Sequence, residues 1–178
     1  MDFDVSKEDV RLFAGVLGKK EGSLSWLDGT GLNYGMITAR VVEIPGDDFP
    51  EDSRGFSMFD VMFVNGYDCR MLKDSQKEAV LDWVKNGGTL LVDTGRDRDL
   101  TLDILGEAQE KVTLKDPEVR WVGMGTEYTK NRPGDSEVRV TYTEPVISGA
   151  EERMVADGTP LLKTLQYGKG TIGVYGVN

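Results

Sequence analysis

The segment from residue 59 to residue 95 restricts the fold of this chain more than any other, because it places a helix pattern between two strand patterns. Phe59–Val64 and Thr89–Val92 are short, mostly apolar runs, which is typical of strands buried on both faces of a sheet. Two strands joined by a helix of this length form a βαβ unit, whose strands are parallel and whose crossover is right-handed. The segment therefore predicts an α/β fold with a mainly parallel sheet.

The helix of this unit is predicted from its apolar stripe and from its two ends. Val80, Trp83 and Val84 stand three and four residues apart, so they form one apolar face. Ser75 and Glu78 have the spacing of a capping box, which predicts that the helix begins there. A pair of glycines then ends the helix, because glycine takes the left-handed conformation without a Cβ clash.

Further strand patterns lie on both sides of this unit, within one predicted domain of residues 1–178. The first half has strand patterns at Val10–Leu17 and Met36–Ile44, with a short helix or turn at Ser23–Leu27 between them. The second half is predicted to be more antiparallel, with a C-terminal hairpin around the Gly-Lys-Gly sequence at 168–170. Its predicted elements are a short helix at Asp99–Leu105 and strands at Val119–Val122, Val138–Thr143, Leu161–Tyr167 and Thr171–Val177.

Charge and hydropathy exclude two classes of partner. The chain carries 31 acidic and 21 basic residues, a net charge of −10, which repels phosphate backbones and anionic lipid headgroups. No stretch approaches the roughly 20 apolar residues of a membrane span. We therefore expect no nucleic-acid binding and no direct membrane insertion by this segment.

The absence of histidine removes much of the usual chemistry. Without it the chain lacks the commonest general base, the commonest transition-metal ligand and every Ser-His or Cys-His relay. The single cysteine, Cys69, can form neither an internal disulfide nor a multi-cysteine zinc site. A loop thiol without a basic partner is interpreted as incidental, and no cofactor is predicted.

A strand pattern at Phe59–Asn65, a Leu-Ser-x-x-Gln-like helix start at Leu72–Gln76, and Trp-Val-x-x-Gly-Gly-Thr-Leu with a further strand within Ala79–Val92 follow one another. This succession resembles the class I glutamine amidotransferase-like superfamily. The opening resembles a subgroup found in large membrane-anchored bacterial proteins. The matching segments are Ala14–Leu17, Leu24–Leu27, Phe59–Asn65, Leu72–Gln76, Ala79–Val92, Pro160–Leu162 and Tyr167–Ile172. The resemblance implies a flavodoxin-like three-layer sandwich with a mainly parallel central sheet and an antiparallel C-terminal hairpin.

The resemblance also implies where catalysis would take place and which groups are missing. Amidotransferases carry a cysteine on the elbow after the strand that follows Gly-Gly, but here that strand ends in Asp93, Thr94 and Gly95. Cys69 lies one strand too early, and no histidine can complete a triad. The chain is therefore interpreted as a non-catalytic member, a binding or protein-interaction module rather than an enzyme.

The same resemblance gives expectations about context. The last residues read as a strand that stops without a cap or tail, which suggests a segment of a longer protein. The segment itself is expected to be soluble, the parent anchored in a bacterial membrane at the cell surface, and the compartment stays open. The expected partners are other domains of the parent chain, another protein or a carbohydrate.

The candidate ligand site is the crevice at the ends of the two best strands, where open α/β sheets bind ligands. Its predicted residues are Asn65, Asp68, Asp93, Thr94 and Arg96. Trp26 and Trp121 are left undecided between burial and sugar stacking, whereas Trp83 is assigned to the core.

The alternative function is a carboxylate- or metal-dependent hydrolase centred on Asp93. Asp-Thr-Gly also occurs in aspartic proteases, where two such aspartates share a proton. Asp97, Asp99 and Asp103 extend an acidic series suited to a hard cation, but the arginines at 96 and 98 interleave with it. A solvated, internally paired loop is the favoured interpretation of this series.

Overall fold

The structure is a computed structural model that describes residues 10–95, 98–123, 137–156 and 158–177. Two α-helices and twelve strands are found in those residues. The helices are α1 (Asp74–Lys85) and α2 (Arg98–Leu102). The strands are β1 (Val10–Gly18), β2 (Gly31–Leu32), β3 (Ile37–Glu43), β4 (Val61–Asn65), β5 (Thr89–Asp93), β6 (Val112–Leu114), β7 (Glu118–Gly123), β8 (Glu137–Tyr142), β9 (Pro145–Ile147), β10 (Glu151–Ala156), β11 (Thr159–Tyr167) and β12 (Gly170–Tyr175).

Eight strands form one sheet in the order β10-β11-β12-β5-β4-β1-β3-β2. The five central strands, from β12 to β3, are parallel, and antiparallel strands flank them on both sides. Two separate antiparallel pairs, β6 with β9 and β7 with β8, complete the strands. The predicted α/β class and the mainly parallel sheet are confirmed, while the three-layer sandwich stays a prediction.

The core lies on the face of the sheet that α1 covers. Val80 and Val84 of α1 are fully buried, as the apolar stripe predicts, and Trp83 is also in the core. Two 3₁₀ segments, Ser53–Phe56 and Asp103–Lys111, pack into the same cluster. Alternating strand residues supply the sheet side of this core, namely Met62, Val64, Leu90, Val92, Ile172 and Val174. Each buried side chain of this size stabilises the fold by about 1.5–3 kcal/mol relative to exposure.

The predicted capping box of α1 is wrong by two residues. The helix begins at Asp74, and the side-chain carbonyl of Gln76 accepts from the backbone N–H of Lys73 at 2.9 Å. The Ser75 hydroxyl instead donates to the Glu51 carboxylate at 2.9 Å. Glutamine serves as well as glutamate for this bond, but the Lys73 side chain has no acceptor, so only half of a capping box is present.

The C-terminal hairpin contributes more than an antiparallel pair. β11 and β12 form the predicted hairpin, and β12 also pairs in parallel with β5 as the fifth strand of the parallel set. A Cβ on Gly170 would collide with the carbonyl oxygens of Val84 and Gly88. Only glycine therefore lets the hairpin approach the end of α1 so closely.

The connection from β1 to β3, like the one from β3 to β4, has no α-helix. Residues 19–36 contain a 3₁₀ turn at Ser25–Leu27 and the short strand β2, but no α-helix. The sequence prediction of a short helix or turn at Ser23–Leu27 is confirmed. Within the described residues, no helix is long and apolar enough to cross a bilayer.

Candidate functional site at the carboxyl edge of the sheet

The connections of the parallel set reverse direction at β1. From β1 the chain goes one way to β3 and the other way to β4, β5 and β12. Open α/β sheets bind ligands at the carboxyl ends of strands beside such a reversal. Gly18 and Asn65 pair at that point, and the N–H of Lys19 donates to the Asn65 carbonyl at 3.0 Å.

Two of the predicted residues lie in one row across this edge. Asn65 and Asp93 each follow one member of the parallel pair formed by Val64 and Val92, so they occupy neighbouring positions on the same face. Asp93 is in turn the register partner of Tyr175. The structure therefore brings Asn65 and Asp93 together as predicted, and it adds Tyr175 to the row.

Asp93 is buried and holds the turn that leaves β5. One of its carboxylate oxygens accepts from the backbone N–H of Gly95 at 2.7 Å. Burial and, next, the Asp93 carboxylate raise the pKa of Tyr175, so the phenol stays protonated at neutral pH. The pair is a carboxylate beside a neutral phenol at the end of two central strands.

Thr94 lies at the start of the turn that leaves β5. Its side chain is fully buried, and both its N–H and its hydroxyl donate to the carbonyl oxygen of Tyr175, at 2.8 and 3.1 Å. Both donors therefore join the ends of β5 and β12. Thr94 has a structural role in this arrangement.

Asp68 is engaged outside the row. It caps the 3₁₀ turn Cys69–Met71, accepting from the N–H of Arg70 at 3.2 Å and pairing with the Arg70 guanidinium at 2.8 Å. The hydrogen bond from the Arg70 side chain is the main cause that lowers the pKa of Asp68. The last predicted residue, Arg96, lies outside the described residues.

The thiol of Cys69 is buried beneath the same turn. It donates to the Tyr67 carbonyl at 3.6 Å, and it belongs to the hydrophobic core. Burial, followed by the nearby charge of Asp103, raises the pKa of Cys69 to about 12. A protonated thiol without access to solvent is a poor nucleophile.

The described members of the acidic series after β5 form no group able to hold a cation. Asp103 is paired with Lys77 at 2.6 Å, and Asp97 lies outside the described residues. Nowhere in ranges 10–95, 98–123, 137–156 and 158–177 do three or more acidic, cysteine or histidine side chains form a group able to hold a metal.

Two residues of this region were missed by the sequence analysis. Tyr175 enters the row only because β12 is parallel to β5. Thr143, fully buried, approaches the same strand: its N–H donates to the Gly176 carbonyl at 2.8 Å, and its hydroxyl has no hydrogen-bond partner among the described residues. No local pattern signals either residue, because both positions depend on register between distant strands.

Two open grooves lie away from the carboxyl edge. One follows the outer side of α1 and is lined by Asp74, Lys77, Glu78, Leu81 and Tyr167 among others. The second lies between β6 and β7 and is lined by Leu114, Lys115, Asp116, Glu118, Arg120 and Glu144. Neither groove contains a predicted site residue.

The two tryptophans that the sequence left open between burial and sugar stacking are both exposed. Trp26 has 70% of its surface exposed in the β1-to-β3 connection, and Trp121 has 62% exposed on β7. Both are available for contact with a partner, unlike Trp83.

Solved structures with the same fold exist, although no protein-family model and no curated protein matches the chain. The chain is similar to the cytoplasmic protein STM1381 of Salmonella typhimurium LT2, with a TM-score of 0.61 and 16% identity over 92% of this chain and 87% of that one. It is also similar to the cytoplasmic protein STM3548 of Salmonella typhimurium, with a TM-score of 0.57 and 17% identity over 93% and 86%.

A larger protein contains the same fold as one part. The exo-beta-1,4-mannosidase Op5Man5 from Opitutaceae bacterium strain TAV5 matches with a TM-score of 0.57 and 12% identity. The match covers 96% of this chain but 31% of the mannosidase chain. At these identities the comparisons establish a shared α/β fold and leave activity open.

Proposed function

We propose that the chain is a non-catalytic interaction module built on a flavodoxin-like, glutamine amidotransferase-like fold. Numbered by chain order, the five parallel strands follow the order 2-1-3-4-5, which supports the flavodoxin-like assignment. The motifs around α1 support the amidotransferase-like assignment.

The observation that carries the proposal is the state of the elbow after β5. Thr94 stands there fully buried, and its hydroxyl donates to the Tyr175 carbonyl, so this hydroxyl is not presented to a substrate. The one cysteine of the sequence is buried one strand away, and the chain has no histidine to activate it. The groups that an amidotransferase uses are therefore replaced by groups that hold strands together.

The hydrolase centred on Asp93 is the competing function. A general base has to reach solvent and accept a proton from water. The Asp93 carboxylate is largely buried and accepts from Gly95, which favours a structural role.

The proposed partner is another domain of a membrane-anchored bacterial parent, a separate protein or a carbohydrate. The occurrence of the fold within a larger mannosidase chain supports a modular use.

Asp93→Asn tests the proposal, because asparagine keeps an acceptor for Gly95 and loses the carboxylate. The purified chain and the variant are assayed with glutamine and with nitrophenyl esters, phosphates and glycosides, and their melting temperatures are measured. We expect both proteins to match the heat-unfolded chain in every assay. A hydrolysis that Asp93→Asn abolishes at an unchanged melting temperature would establish the enzyme instead.

A further inference from the structure

The β1-to-β3 connection exposes large apolar side chains instead of burying them. Trp26 is 70% exposed, Met36 is 68% exposed, and Tyr34 is wholly exposed. Trp26 lies in the 3₁₀ turn Ser25–Leu27, and Tyr34 and Met36 lie in the turn between β2 and β3. We call these three residues of the connection the crossover ridge. Tryptophan, tyrosine and methionine are the residue types enriched at protein interfaces.

The tip of the ridge has a backbone that suits glycine better than tyrosine. Asn33 and Tyr34 have φ values of 48° and 59°, and the N–H of Met36 donates to the Asn33 carbonyl at 3.2 Å. Tight hairpin turns of this kind favour Asn-Gly. The wholly exposed ring of Tyr34 gains little from its own chain, so the strained position points to a contact outside it.

The ridge is also poor in charge. Residues 22–39 include a single charged side chain, Asp28, although the chain has 31 acidic and 21 basic residues. Interface centres are depleted of charge in the same way. A basic partner finds no excess of carboxylates on this surface, and an acidic partner finds no excess of cations.

The charges beside the ridge match a second copy of the same surface. Asp28 and Arg40 stand 3.8 Å apart, and each side chain is nearly half exposed. In a two-fold symmetric dimer the same patch meets itself, so Arg40 of each copy can reach Asp28 of the other. Two copies with a net charge of −10 repel each other, and the charge-poor ridge is where that repulsion is weak.

We propose that the crossover ridge is the interface between two copies of this chain, related by a two-fold axis, with Trp26 at its centre. The inference goes beyond the proposed function, because a dimer of this kind would form whether or not the carboxyl edge were catalytic.

The first experiment compares two exposed tryptophans by sedimentation equilibrium of the full chain. Trp26→Ala is expected to raise the dimer dissociation constant about thirtyfold, the effect of losing a central interface tryptophan. Trp121→Ala, on β7, is the matched control and is expected to leave the constant unchanged. A chain that stays monomeric at millimolar concentration, or an equal effect of both substitutions, would overturn the proposal.

The second experiment uses the self-complementary charges. Asp28→Lys and Arg40→Glu are each expected to weaken self-association, because each places like charges opposite one another in the dimer. An equimolar mixture of the two variants is expected to associate again, since Lys at 28 then meets Glu at 40 and the remaining Arg40 meets Asp28.

Folding is monitored in both experiments, because Asp28 also accepts from the N–H of Val41 at 3.1 Å. Circular dichroism and melting temperature report any loss of fold in Asp28→Lys. If that variant does not fold, the comparison of Trp26→Ala with Trp121→Ala decides the proposal. A mixture of folded variants that remains as monomeric as each variant alone would exclude the two-fold contact.

Discussion

The carboxyl edge of the sheet and the crossover ridge treat their conspicuous side chains in opposite ways. At the carboxyl edge, Asp93 and Thr94 are buried and bonded to backbone groups of their own chain. On the ridge, Trp26 and Tyr34 are exposed, and the turn at Tyr34 has an unfavourable backbone. Side chains of the first region stabilise the fold, whereas those of the second leave most of their apolar surface in water.

The contrast indicates which surface is expected to contact other molecules. In an open α/β sheet the carboxyl edge is the usual ligand site, and Asn65, Asp93 and Thr94 of the predicted set lie there. Asp93 and Thr94 are nevertheless bonded to backbone groups of their own chain. Substitutions at the edge should therefore change stability, and substitutions on the ridge should change association.

The largest expected effect concerns Cys69 beside the carboxyl edge. Burial raises its pKa from 9.0 to about 12, so the native thiol should react with a disulfide reagent at pH 8 on the order of a thousandfold more slowly than the unfolded chain. Absorbance after mixing, with and without urea, measures both rates. Equal rates would show that the edge is open and would break the contrast with the ridge.

The same pKa sets the sign of a pH effect on stability. The pKa of Cys69 is higher in the folded state than in the unfolded state. The contribution of the neutral thiol to the free energy of unfolding is therefore complete below about pH 9 and is lost as the pH rises toward 12. Cys69→Ala is the control, since the difference between its unfolding curves and those of the wild type isolates the thiol from the tyrosines.

Thr94→Val should give an intermediate effect. It removes the hydroxyl that donates to Tyr175 and keeps the shape of the side chain, so the free energy of unfolding should fall by about 1–2 kcal/mol. Urea titration measures the change. Thr94→Ser retains the hydroxyl, so its free energy of unfolding should fall by less. A valine variant as stable as the wild type would show that the hydroxyl bond to Tyr175 does not stabilise this edge.

Tyr34→Gly should give the smallest effect, and of opposite sign. Glycine takes a positive φ without a Cβ clash, so the free energy of unfolding should rise by about 0.5–1 kcal/mol. Self-association should weaken in the same variant, because the ring is lost from the ridge. A variant that is less stable would show that the Tyr34 ring packs on its own chain.

The sequence predicted the elements that local pattern determines. The βαβ unit follows from the stripe of α1 and the two apolar runs beside it, and all of these are found close to the predicted residues. The position of β12 beside β5 could not be predicted, because a glycine-turned hairpin looks the same whether or not its second strand joins a parallel sheet. β10 was missed because it begins with Glu151, Glu152 and Arg153, which do not alternate with apolar residues.

The candidate site was predicted in part for the same reason. Asn65 and Asp93 end neighbouring parallel strands, so their proximity follows from the βαβ unit alone. Asp68 is bound to Arg70 two residues away, a local turn that no strand pattern reveals. Tyr175 and Thr143 reach the edge through strands far along the chain, and their positions depend on tertiary register.

The parallel pairing of β5 with β12 has a consequence for synthesis. All of β6 to β11 must leave the ribosome before β12 can cover that side of β5. Until then the nascent chain presents the unpaired amides and carbonyls of Thr89–Asp93 to its surroundings, and such edges recruit other chains. Closing so long a loop is slow, so protection of this strand during translation should limit the yield of soluble protein more than the stability of the finished sheet does.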